Sequence, residues 1–326
     1  MTTCFPAGRI RADRATGATP NPGPATRPTR PPQARPVTGV RARDLATGVS
    51  AMTMVGGSVA VSHALVGAPL FAAQAIRYAI AAVILFLLAR AARVPVIRPR
   101  GRDWAYLAGI AATGLVLFNV AIVRGVAHAE PAVIAVAVAC VPILLGVLGP
   151  LLERRAPRRH VLLGAAVVTA GSVLVVGGGV ADPAGVGWAV VALACESAFT
   201  LLAVPVLPRH GAWGVSLHSV WIGAVMLFVL GAGTEGVTAA GRLTPGDWAA
   251  LSYLAIMVTA VAFILWYSTV ATVGAGRAGL LTGIAPVSAA LTGMATGSRA
   301  PGTLAWAGML IVLAGLGVGL RSPRRQ

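Results

Sequence analysis

Six residues of this chain stand where their chemistry is least expected: Glu196, Arg77, Asn119, His218, Trp266 and Tyr267 all fall inside long apolar runs. Glu196, in Ala194-Cys195-Glu196-Ser197-Ala198-Phe199-Thr200, lies eight residues beyond Trp188. If that run is a helix, its carboxylate sits about 12 Å deep at 1.5 Å rise per residue, near the middle of a bilayer core about 30 Å thick. An ionised carboxylate there costs a few kcal/mol or more unless paired or protonated. A proton site, a substrate ligand and a neutral hydrogen-bonded structural Glu are the alternatives. Arg77, the single base inside a run, is charged at any relevant pH and needs an anion, water or carbonyls. Its readings are a substrate anchor, an ion pair holding helices together, or snorkelling. Asn119 reaches a similar depth and serves as substrate hydrogen-bonder or interhelical glue. His218, like His63, can titrate near neutral pH or merely pack. Trp266 and Tyr267 read as a membrane-interface belt or as stacking surfaces for a ligand. The candidates for binding substrate or protons are thus Glu196, Arg77, Asn119, His218, Trp266 and Tyr267.

Three more residues suggest moving parts. Pro142 and Pro286 lie mid-run, and each removes a backbone hydrogen bond and can kink a helix. Glu153 stands among Arg154, Arg155, Arg158 and Arg159, as a surface ion-pair network or as a gate latch. Other patterns fail their context. Gly274-Ala275-Gly276-Arg277-Ala278-Gly279 fits GxGxxG, but no strand precedes it and no βαβ unit surrounds it. There is no HExxH, GxSxG or Walker A sequence. No CxxC joins the three cysteines, so no metal site and no cofactor is expected.

The elements that must carry these residues are membrane helices. Of 326 residues, 57% are hydrophobic and 11% charged, against roughly 25% charged in soluble domains, and mean hydropathy is +0.82. From Leu45 onward, apolar runs long enough to span a bilayer lie at about 45–64, 71–89, 104–124, 131–152, 160–178, 186–206, 213–233, 248–268, 277–296 and 303–320. The net charge of +17 resembles a nucleic-acid signature, yet position argues for a lipid bilayer and no nucleic-acid partner. All 26 basic residues are Arg. They gather in the N-terminal segment, in 90–102, in 154–159 and after 320, with Arg209 and Arg277 on the same side if the runs alternate. Only Arg124, Arg242 and Arg299 fall on the other side. This asymmetry places both termini in the cytoplasm. Residues 1–43, with eight Pro and eight Arg, read as a disordered cytoplasmic tail. A start near Val40 or at Met52 would remove most of it.

An internal repeat organises the rest. Asp103-Trp104-Ala105 recurs as Asp247-Trp248-Ala249, an offset of 144 residues. The same offset carries Pro142 to Pro286, Arg155-Ala156-Pro157 to Arg299-Ala300-Pro301, and Gly164 and Gly171 to Gly308 and Gly315. Five runs per copy force the second copy to enter from the opposite side, giving an inverted-topology repeat of the kind that builds secondary transporters. The expected fold is all-α integral membrane, ten transmembrane helices as two five-helix inverted-topology repeats at 44–180 and 184–320, with a short basic tail at 321–326.

The residues of the repeat also resemble a known family. Pro142 through Glu153, followed by Arg154-Arg155-Ala156-Pro157 and a Gly-rich fifth helix, is similar to the first-repeat signature of EamA-like members of the drug/metabolite transporter superfamily. So are the stretch Ala75 to Ala82 around Arg77, the pair Gly57-Ser58, and Gly276 through Pro286 and on to Gly315. One departure is that Glu153 has Gly297 as its counterpart, where many relatives keep a second acid. The resemblance implies export or exchange of small metabolites. The expectation is a secondary transporter of the bacterial plasma membrane that rocks about a midplane cavity lined by helices 2, 3, 6 and 7 with helices 1 and 8. Glu196 would exchange a proton, the expected coupling ion, while Arg77 holds an anionic group or pairs with Glu196. A homodimer stays open. The rival is an intramembrane enzyme acting on a lipid-linked or amphipathic substrate.

Overall fold

The computed structural model describes residues 42–65, 67–297 and 300–321. The Pro/Arg-rich tail, apart from Ala42 and Arg43, lies outside the described residues, as do Arg299, the end of the C-terminal tail and the side chain of His63. The described chain is helical throughout. Bridging the irregular turns within runs, we label α1 (Ala42–Gly57), α2 (Leu70–Ala91), α3 (Asp103–Val126), α4 (Pro131–Leu152), α5 (Arg159–Val176), α6 (Pro183–Leu201), α7 (Leu207–Thr234), α8 (Pro245–Val273), α9 (Ala275–Ala295) and α10 (Thr303–Gly319). The eight from α2 to α9 are long and apolar enough to cross a membrane. Large apolar side chains such as Phe86, Leu163, Phe228 and Leu310 are exposed, as a lipid-facing surface requires and a water-facing one would not tolerate. The chain is a multi-pass membrane protein.

Local chemistry sets the helix starts. Pro131, Pro183 and Pro245 each occupy a first helical position, where the missing N–H is no loss. Asp182 caps α6 by accepting the Gly185 N–H at 2.8 Å. Thr244 and Asp247 form a reciprocal capping box on α8. The expected first run, 45–64, breaks at Ser58, with a single turn Val59–Ser62 beyond it. The expected sixth run, 186–206, begins and ends earlier, and α6 stops at Leu201; a short helical segment from Leu207 leads to a kink at Gly211 (φ 63°), beyond which α7 runs on close to the expected start at 213.

Packing is tightest where glycine lets backbones meet. A methyl at Gly171 would lie 2.7 Å from the Gly308 carbonyl oxygen, and one at Gly308 would lie 2.6 Å from that of Gly171. The α5–α10 crossing is therefore a backbone contact, as small residues permit between membrane helices. The other principal pairings are α2 with α7, α1 with α8 and α9, and α6 with α3 and α4.

Contacts between helix ends fix the direction of each helix. At one end, Asp103 at the start of α3 accepts from Arg209 near the start of α7 at 2.7 Å, and the Glu153 carboxylate after α4 accepts from the Ala275 N–H of α9 at 3.4 Å. The exposed arginines of 90–102 and 154–159 lie here, and we call this the basic end. At the far end, Glu235 after α7 accepts the Phe71 and Ala72 N–H groups of α2, each at 2.9 Å. There Ala129 also pairs with Ala181, and His128 Nδ1 lies 3.0 Å from Asp182 Oδ2. The Gly185 N–H, and after it His128, holds the Asp182 carboxyl below the usual carboxylate range.

Candidate functional site

Two helices depart from regular winding at matching places. Ala111–Leu117 in α3 and Leu254–Val261 in α8 are π-helical, and the 144-residue offset superposes them to within one residue. Such segments turn side chains out of the usual register and are frequent at functional sites. Between them lies a cavity of about 660 Å³. Its walls come from the middle and far halves of α1, α2, α3, α4, α5 and α9 and from the later parts of α6 and α8, which run from the far end, so α7, expected to line it, takes no part, and α4, α5 and α9 do. Toward the basic end the bundle is filled by buried Leu145, Leu207, Val270, Leu280 and Leu281.

The wall is mostly apolar, and its few polar groups are well separated in role. Arg77 projects from α2; its Nε donates to Thr259 Oγ1 at 2.9 Å and its Nη1 to Gln74 Oε1 at 3.3 Å. The guanidinium carbon lies 5.4 Å from the Tyr78 ring centroid, within reach of a cation–π interaction. Asn119 Nδ2 donates to the Leu115 carbonyl at 2.6 Å and to the Tyr78 hydroxyl at 3.3 Å, tying α3 to α2. Glu196 lines the same cavity, half-buried. The ion pair considered between Arg77 and Glu196 does not form. The four ion pairs among the described residues involve neither of them, because Arg77 turns to α8 while Glu196 stands on α6. Ser172 adds a fully buried hydroxyl on the wall without a hydrogen-bond partner.

The remaining sequence candidates divide. Trp266 is on the wall but 4% exposed, with its Nε1 donating to Thr200 Oγ1 at 3.1 Å. It is not part of an interface belt, because α8 packs against α1 and α7 along its length. Tyr267 is wholly buried behind the wall, and its hydroxyl donates to the Phe199 carbonyl at 3.3 Å. His218 stands apart from the cavity. Its Nε2 donates to the Ile97 carbonyl at 2.9 Å and its Nδ1 accepts from Trp221 Nε1 at 3.2 Å, so both ring nitrogens are committed to the neutral form. Pro286 lines the cavity, and Pro142 adjoins the lining residue Val141. Each follows an irregular turn, at Cys140 and at Thr282-Gly283. Glu153 lies at the basic end, joined to the start of α9 and 3.8 Å from Arg155.

Sequence reasoning missed Thr259, Tyr78, Phe199 and Phe263. Nothing separates them from the hydroxyl and aromatic residues that fill any apolar run; only the packing brings Tyr78, Phe199 and Phe263 to the wall and sets Thr259, buried in the π segment of α8, against Arg77.

A bundle of apolar helices around an internal cavity with isolated charges is the architecture of a membrane carrier. The profile of the EamA-like transporter family matches residues 44–177 and again residues 183–320. The chain belongs to this family and is a membrane transporter of small molecules, not an enzyme. It is 29% identical over 252 residues to YetK, an uncharacterized transporter of Bacillus subtilis, covering 74% of this chain and 76% of that protein. It is 25% identical over 222 residues to a probable terminal-alkyne amino-acid exporter of Streptantibioticus cattleyicolor, covering 67% and 74%. One solved crystal structure superposes with a TM-score of 0.74 at 20% identity, covering 86% of this chain and 98% of that one, which is a likeness of fold.

Proposed function

We propose that the chain exports a small amphipathic metabolite across the bacterial plasma membrane in exchange for protons, with Glu196 as the proton site and Arg77 as the anchor for an anionic group. The observation that carries this reading is a carboxylate and a guanidinium on one cavity wall that do not neutralise each other. A molecule with an acidic group and an apolar body matches such a wall, and an amino acid adds an ammonium group for Glu196. The relative named as an amino-acid exporter supports that class. Direction rests on family likeness.

Ten crossings, with both termini cytoplasmic and two inverted repeats at 44–180 and 184–320, complete the reading. It is supported by the double match of the family profile, the matching π segments, and the meeting of offset-related glycines across α5 and α10. Pro142 and Pro286 supply the hinges, and Glu153 latches α4 to α9 at the basic end.

Flux in proteoliposomes tests the coupling. Glu196→Gln keeps size and hydrogen bonding but cannot release a proton. It should insert normally, lose flux driven by a pH gradient, and retain substrate counterflow. Wild-type rate and pH dependence in this variant would make Glu196 structural.

A further inference from the structure

Phe199, Phe263 and Tyr267 form a cluster at the end of the cavity nearest the basic end. Ring centroids of Phe199 lie 5.0 Å from Phe263 and 5.3 Å from Tyr267, and Phe263 and Tyr267 lie 6.3 Å apart in an edge-on arrangement. Phe199 and Phe263 face the cavity, and Tyr267 backs them. Two polar ties close the set, Trp266 to Thr200 and Tyr267 to the Phe199 carbonyl, both between α6 and α8. The ring of Phe199 also crosses to the other repeat. It rests on Gly114 in the π segment of α3, where even a methyl group would overlap the ring. Gly114 is thus the seat that lets an α6 side chain close against α3.

The offset of 144 residues supplies the comparison. The positions equivalent to Phe199, Phe263 and Tyr267 are Val55, Asn119 and Val123. Val55 and Asn119 line the cavity instead of sealing it, and Val123 is 44% exposed. The helices repeat this difference. Near the basic end α4 and α9 touch through backbone, with a methyl at Gly149 falling 2.8 Å from the Gly276 nitrogen. Toward the far end Ala135 of α4 and Ala289 of α9 both face the cavity. A stacked aromatic set seals better than two valines and an amide, because offset and edge-on rings add specific attraction to their buried area.

We propose that Phe199, seated on Gly114 and packed against Phe263 and Tyr267, is the gating residue of the basic end, and that this cluster holds the resting protein with its cavity open toward the far end. The inference rests on the transport reading of the cavity but not on its proton coupling. A ligand entering from the basic end must displace these rings, so the cluster sets the equilibrium between the two access states, and weakening it shifts that population.

The test uses the full chain without its native cysteines (Cys4, Cys140 and Cys195 replaced), carrying Thr282→Cys as a probe on the cavity wall, reconstituted in vesicles. A membrane-impermeant thiol reagent is applied from either face. The parent should label from the far-end face. Phe199→Ala should raise the labelling rate from the basic-end face at least tenfold, in protein that still inserts and folds although its melting temperature falls with the loss of a buried ring. Gly114→Ala, which displaces the ring without removing it, should act in the same direction, and Phe199→Tyr should restore the parent pattern. If Phe199→Ala does not fold, Phe263→Leu takes its place with the same expectation. Unchanged one-sided labelling in folded variants overturns the gate while leaving the cavity reading intact. A parent probe that labels from neither face removes the cavity reading and the gate with it.

Discussion

Thr259 offers the sharpest test of how the site is aimed. It is wholly buried in the π segment of α8, and its hydroxyl accepts from Arg77 Nε at 2.9 Å. Thr259→Val removes that acceptor at nearly constant volume, while Thr259→Ser keeps it. A hydrogen bond to a charged group contributes about 1.5–3 kcal/mol net. At about 1.4 kcal/mol per tenfold, its loss disfavours the present orientation of the guanidinium by roughly 10- to 150-fold. Gln74 and the Tyr78 face still hold the cation, so the lower end of that range applies. The expected result is a rise of about tenfold in the substrate concentration for half-maximal flux, with the maximal rate preserved, because Arg77 is misdirected and not removed. Thr259→Ser should stay within about twofold of wild type by the same reasoning. Concentration-dependent counterflow in proteoliposomes measures both. If Val and Ser behave alike, Thr259 is packing and the aim of Arg77 is set elsewhere.

Gly171→Ala should destabilise the detergent-solubilised protein by about 1–3 kcal/mol through overpacking, since its methyl would meet the Gly308 oxygen at 2.7 Å, whereas Gly317→Ala, with nothing nearby, should not; thermal unfolding compares them. Asp182 has its folded-state pKa lowered by Gly185 and His128, so its contribution is present above the unfolded carboxylate value of about 4 and is lost as pH falls through the folded one. Hydrogen exchange at the start of α6 should therefore accelerate on acidification below about pH 4, and Asp182→Asn should abolish that step. For topology, single cysteines in 179–185 and 234–246 should react from outside intact cells and those in 92–102 and 154–159 should not; the reverse pattern removes the inverted arrangement.

The helices were legible because each apolar run is bounded by charge or by proline, and Pro131 and Pro183 mark helix starts. The boundary between α6 and α7 was not, for a physical reason. The turn at 202–206 is apolar, Ala203 and Val206 are buried, and its one break signal, Pro205, stands inside an otherwise unbroken hydrophobic stretch. The depth of Glu196, Arg77 and Asn119 followed from counting residues along a helix, and all three reach one cavity. Their mutual contacts did not follow. Depth fixes one coordinate, whereas the rotation of each helix decides whether Arg77 meets Glu196 or Thr259. The same missing rotation left Trp266 and Tyr267 between an interface belt and a stacking surface for a ligand, where packing buries both.

The chemistry of the site is less symmetric than its scaffold. Under the 144-residue offset, Glu196 corresponds to Met52, Arg77 to Trp221 and Asn119 to Phe263. Met52 is an apolar lining residue, and Trp221 is turned toward His218 and Trp104. Each charge therefore occurs once, Arg77 in the first half of the chain and Glu196 in the second. A buried acid and base brought into contact would satisfy one another, and separating them again would leave each uncompensated at a cost of several kcal/mol. A site built on such a pair would have to break it for every ligand. Here Arg77 is held by neutral partners, a hydroxyl, an amide oxygen and an aromatic face, which orient the cation without cancelling its charge. Glu196 is left to the cavity. On the proposed reading, that separation leaves both charges available to whatever enters, and it makes polar residues with no counterpart in the other half, Thr259 above all, as much a part of the proposed site as the charges themselves.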